Sequence, residues 1–175
     1  MSKRAMMPIL IAAVGLAGCA ADGAATNPSG AVRASISDRQ GTVVAVSSAR
    51  DQGGLAVRVD VNGMPAGTYG VHVHAIGRCE APEYQSAGPH WNPTARQHGR
   101  LNPMGPHYGD LPNLVVDAAG RGSVEFTIAG GSVRGGAQPL MDADGASVVI
   151  HAAADDERTD PSGNSGARIA CGVFG

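Results

Sequence analysis

Residues 55–63 read LAVRVDVNG, with Leu55, Val57, Val59 and Val61 on one parity and Arg58 and Asp60 on the other. A period of two puts apolar side chains on one face of a strand and charged ones on the other, and Asn62-Gly63 supplies the turn that ends it. The same period recurs on both sides. Upstream, Val32, Ala34 and Ile36 alternate with Arg33, Ser35 and Ser37, Asp38 to Gly41 reads as a turn, and Thr42 to Val46 returns as the hairpin partner before a polar break from Ser47 to Gly54. Downstream, Leu114 to Val116 is followed by a turn and by Val124, Phe126 and Ile128 alternating with Glu125 and Thr127. Val148 to Ile150 forms a buried strand ending at His151, and Ile169 to Phe174 forms the last strand. Short strands at this spacing, in a chain with 26 glycines, 11 prolines and 3% aromatic residues, predict one all-β domain over residues 32–175. The expected architecture is a Greek-key sandwich or flattened barrel of about eight antiparallel strands.

Between these runs lies the chemistry. Val71 and Val73 alternate with His72 and His74, so valines facing the core put both imidazoles on the opposite face, roughly 7 Å apart. From Arg78 to Asn113 neither period survives, and a loop this long in a compact domain is usually functional. A second, charged loop spans Asp155 to Gly166. Five of the six histidines, His72, His74, His90, His98 and His107, fall between residues 72 and 110 together with Asp110, and His151 stands downstream. Two four-coordinate metal sites need about eight ligand places. Six histidines and one aspartate supply seven, so a dinuclear pair requires one shared imidazole.

At the start of the chain, Lys3 and Arg4 precede an apolar run from Ala5 to Ala17 that breaks at Leu16-Ala17-Gly18-Cys19. That is the pattern of a secretory signal, too short to span a bilayer. A cysteine directly after Leu-Ala-Gly resembles the bacterial lipobox. Residues 1–18 are therefore expected to be removed, Cys19 to carry the lipid anchor, and residues 19–31 to form a tether. Ala20 and Ala21 in place of an inner-membrane retention aspartate favour the outer membrane. The remaining 157 residues carry 11 arginines and no lysine against 15 acidic residues, a formal net charge of −4, and no basic run suggests nucleic acid. With Cys19 set aside, Cys79 and Cys171 remain, and in an exported protein that pair reads as one disulfide.

Taken together the motifs GVHVH at 70–74, SAGPHWNP at 86–93, GDLPNL at 109–114, VIHAAADD at 149–156 and GNSGARIACGV at 163–173 resemble the copper-zinc superoxide dismutases. So do the steps of 8, 9 and 3 along His90, His98, His107 and Asp110, and the short interval from His74 to Cys79 is similar to the exported bacterial branch. The resemblance implies copper on His72, His74, His90 and His151, and zinc on His90, His98, His107 and Asp110, with His90 shared. It implies dismutation of superoxide to oxygen and hydrogen peroxide on the periplasmic side of the cell envelope. His90 would deliver a proton, and Arg168 would draw the anion to copper. Asp155 would accept hydrogen bonds from the outer ring nitrogens of His72 and His98, while Trp91 only packs. A copper-holding lipoprotein that buffers or delivers metal is the competing reading, although storage needs neither a zinc set nor Arg168. Monomer and homodimer both stay open.

Overall fold

The computed structural model describes Met1 and residues 30–175; the expected signal segment, Cys19 and most of the tether lie outside the described residues. Nine strands are described: β1 (Val32–Asp38), β2 (Val43–Asp51), β3 (Leu55–Asn62), β4 (Gly67–Tyr69), β5 (Val71–His74), β6 (Leu114–Val116), β7 (Arg121–Ile128), β8 (Ser147–His151) and β9 (Arg168–Val173). Seven of them form one sheet in the order β5-β8-β9-β1-β2-β3-β7, and β4 pairs with β6 in a second. Every strand ladder is antiparallel. Only Gly70 separates β4 from β5, and the backbone of β7 at Gly122 abuts the Val115 carbonyl of β6, so the sheet curls into a flattened barrel.

Leu55, Val57 and Val59 are fully buried, in one cluster with Ile36, Val71, Val73, Leu114, Val148 and Ile150. The alternation in β3 therefore does point its apolar side inward. Two elements depart from the sequence reading. The strand β2 runs on to Asp51 through the supposed polar break, because the buried Ser47 donates its hydroxyl hydrogen to the Arg58 carbonyl at 2.8 Å and Ala49 faces the core. Arg50 then pairs on the outer surface with Glu125 at 2.7 Å. The strand β4 is additional to those the sequence pattern suggested.

A disulfide joins Cys79, in the long loop, to Cys171 on β9 with the Cα atoms 5.6 Å apart. It fastens the start of that loop to the barrel a few residues before a 3-10 turn, Gln85–Ala87.

Candidate metal centre

The valines of β5 are buried in the barrel, as alternation requires, but His72 and His74 on the other face are equally buried. The long loop covers them. It runs back along the free edge of β5, where Val73 donates to the Gly109 carbonyl at 2.9 Å and accepts from Trp91 N–H at 2.8 Å. An unpaired strand edge offers such groups to any neighbour, and here the loop takes them. The pairing sets His90 opposite His74 and Asp110 opposite His72. The strand β8 delivers His151, and the second loop meets the first where Asp160 accepts from the His98 N–H at 2.6 Å. All the sequence-predicted ligands are thereby brought together.

Each ring is fixed through one nitrogen. His72 bonds Asp155 through Nε2 at 2.7 Å, His74 bonds the Gly88 carbonyl through Nδ1 at 2.9 Å, and His151 bonds the Gly166 carbonyl through Nδ1 at 3.2 Å. The opposite nitrogens, His72 Nδ1, His74 Nε2 and His151 Nε2, are buried without a hydrogen-bond partner. Orphaned buried polar atoms are costly, and three of them converging with His90 fit a cation-binding site better than a packing fault. His72, His74, His90 and His151 can place ligand atoms within 4.8 Å of one another.

Beside this group, Nδ1 of His90, His98 and His107 lies 2.9, 3.0 and 3.2 Å from a single oxygen, Asp110 Oδ1. Asp110 Oδ2 is held by the N–H groups of Gly99 and His107, both at 2.9 Å. His72 also comes within 4.8 Å of His90, His98 and Asp110, but its Nε2 is committed to Asp155. His107 is therefore the better fourth member. Four nitrogens suit copper, and three nitrogens with a carboxylate suit a closed zinc site.

Burial first of all lowers the pKa values of His72, His74, His90 and His151, to about 4 for His90 and about 3 for His151. These rings are neutral at pH 7 and keep a lone pair for a metal. For His98, burial lowers the pKa, but hydrogen bonds to Asp110 and Asp155 outweigh it and hold it at about 9. Burial would likewise raise both carboxylates, yet the bonds of His107, His90 and His98 hold Asp110 well below the carboxylate range, and those of His72 and His98 do the same for Asp155. A cation binding here displaces a proton from His98.

Asp155 accepts from both sides of the pair, at 2.7 Å from His72 and 3.0 Å from His98. Sequence reasoning missed what holds it. Asn113 clamps its main chain, accepting from the Asp155 N–H and donating to its carbonyl, both at 2.8 Å. A Cβ at Gly163 would run into Asp155 Oδ1, and the φ of +62° there favours glycine as well. The GDLPNL and GNSG motifs contain both residues, but local pattern carries no sign of the contact that Asn113 makes 42 positions away.

Arg168, at the start of β9, donates from Nη1 to the Tyr84 carbonyl at 2.7 Å and from Nη2 to the Gly88 carbonyl at 2.8 Å. A guanidinium has five N–H donors, and these two bonds leave three for an anion. Arg168 and His90 line one open cleft, together with Trp91, Arg96, Asp142 and Asp160. Trp91 is buried in the barrel cluster, as packing predicted.

A curled antiparallel barrel carrying two adjoining histidine-rich sites of this kind defines a dinuclear metalloprotein. The chain belongs to the copper/zinc superoxide dismutase family: the family profile described as copper/zinc superoxide dismutase (SODC) matches residues 39–174. Membership makes it an oxidoreductase of the superoxide dismutase class, with copper and zinc as cofactors. It is 43% identical over 126 residues to the superoxide dismutase-like protein YojM of Bacillus subtilis, covering 71% of this chain and 64% of that protein. It is 41% identical over 124 residues to the copper-zinc superoxide dismutase of Caulobacter vibrioides, covering 69% and 71%. A solved superoxide dismutase-like protein from Bacillus subtilis superposes with a TM-score of 0.75 at 39% identity, covering 81% of this chain and 96% of that one.

Proposed function

We propose that the protein dismutes superoxide with copper on His72, His74, His90 and His151, and zinc on His90, His98, His107 and Asp110. The observation that carries this reading is the division of labour within His72, His74 and His151: the outward nitrogen is tied to a protein acceptor and the inward one has none. Copper bound there supplies the one-electron redox couple that alternately oxidises and reduces superoxide, and zinc supplies fixed positive charge. The chain's own groups do the rest. Arg168, with three unspent donors and a permanent charge, draws superoxide into the cleft and orients it. His90 turns Nδ1 toward Asp110 and so presents Nε2 to the copper group, where that nitrogen could carry a proton to the forming peroxide only while copper does not hold it. The test compares superoxide removal by the copper- and zinc-loaded protein with that of the copper-free form; equal rates would leave a metal-holding protein.

We also propose that it works on the periplasmic side of the envelope, anchored through a lipid on Cys19. What supports this is the Leu16 to Cys19 motif and the cysteine pair suited to an oxidising compartment. Mass spectrometry of the envelope-derived protein should find an acylated Cys19 at the N-terminus, and any other N-terminus ends the proposal.

A further inference from the structure

The two carbonyls that hold Arg168 are not equally secured. Gly88 has no side chain, whereas Tyr84 is buried to 3% exposure and stands in the left-handed region, φ 54° and ψ 25°. A bulky side chain seldom occupies that region, and it stays there only when its surroundings over-determine it. Here they do. The ring packs with Ala87, Val149 and the half-buried Cys79–Cys171 pair. The hydroxyl donates to the Ser37 carbonyl on β1 at 3.2 Å, and the Tyr84 N–H donates to the Glu80 carbonyl at 2.9 Å. The Tyr84 carbonyl, held this way, accepts both the Ala87 N–H at 3.2 Å, which closes the 3-10 turn, and Nη1 of Arg168 at 2.7 Å. A φ of the usual sign would redirect the chain entering that turn, and this carbonyl with it.

We infer that Tyr84 is a positioning residue for Arg168: its packed ring and its hydroxyl bond to β1 hold its own carbonyl where the guanidinium binds. The inference rests on the reading of Arg168 as the residue that meets the anion. It differs from a purely structural role because it concerns the orientation of one side chain across the cleft, with Tyr84 itself touching neither metal ligands nor substrate.

The test uses Tyr84→Asn, which tolerates the left-handed backbone but lacks ring and phenol, and Tyr84→Phe, which lacks only the hydroxyl. Nitrogen NMR of the metal-free protein reads the guanidinium directly, with Arg168→Gln identifying the Arg168 signals. In the parent, Nη1 and Nη2 are each bonded and should rotate slowly and give separate signals. Tyr84→Asn should merge them, with Tyr84→Phe falling between. In the copper- and zinc-loaded protein, azide as a probe anion should bind Tyr84→Asn about tenfold more weakly, the worth of one charged hydrogen bond, at unchanged zinc content. Parent-like Nη signals in Tyr84→Asn overturn the inference. Should that variant fail to fold, Tyr84→Phe decides, since a parent-like rotation rate there overturns it equally. An undiminished superoxide rate in Arg168→Gln would instead sink the anion role and leave the NMR result standing.

Discussion

His74 and Arg168 meet at one atom, the carbonyl oxygen of Gly88, which accepts Nδ1–H of His74 at 2.9 Å and Nη2–H of Arg168 at 2.8 Å. The group that fixes a ring of the candidate copper site therefore also fixes the cation proposed to meet the anion. Reversing that cation's charge should leave both metal contents unchanged, because Arg168 contributes no ligand. Arg168→Glu is expected to lower the superoxide rate by about tenfold or more and to flatten its dependence on ionic strength. Stopped-flow rates across a salt series measure this, and a parent-like rate would make Arg168 an ordinary surface cation.

Asp155 serves both halves of the centre, so its loss should not be felt equally. Removing such a partner of a ligating histidine typically costs about 10 to 100-fold in metal affinity. Copper binds nitrogen sites more tightly than zinc and has more to spare. Asp155→Asn should purify with copper near normal and zinc depleted. It should also release zinc at a higher pH than the parent, because a proton competes with the metal for each ring that is less firmly held. Metal analysis over a pH series decides, and zinc retained as firmly as in the parent contradicts it.

Asn113 offers a graded version of the same experiment. Asn113→Ala leaves the Asp155 N–H and carbonyl without the two bonds that span 42 residues, at a cost of about 1–3 kcal/mol for part-buried groups. Thermal melting should fall accordingly, and zinc loss should be milder than in Asp155→Asn because the carboxylate remains. Zinc loss equal to or beyond that of Asp155→Asn would show that Asn113 acts elsewhere.

The bridge between Cys79 and Cys171 closes 92 residues of chain, and loops of that size are typically stabilised by about 2–4 kcal/mol. Alkylating the unfolded, unreduced protein should label neither cysteine, and Cys171→Ser should melt at a lower temperature. Labelling of both would reject the bridge.

How much of this was legible in the sequence depends on the range of the contact. Period-two runs located β1 and β3 nearly to the residue, because burial of one face acts within a strand, and short apolar runs did the same for β6 and β8. The extension of β2 through Ser47 was hidden, since it depends on a carbonyl eleven residues away. The ligands were readable through a resemblance that matches their spacing. Burial of His72 and His74 was not, because alternation says which face a side chain takes and nothing about what later covers it. Tyr84 and Asn113 act through backbone groups of distant residues, and composition carries no trace of that.

The loop that lies along β5 has a bearing on solubility. Its attachment at residues 89–110 involves residues proposed to grip zinc, so a bound ion would act as a clasp on the barrel's seam. Unclasping would bare the N–H and C=O groups on the outer edge of β5 around Val73, an open strand edge to which a second copy's strand can add. Starving the cell of zinc would then do more than slow an enzyme: it would leave an edge open that recruits its own kind.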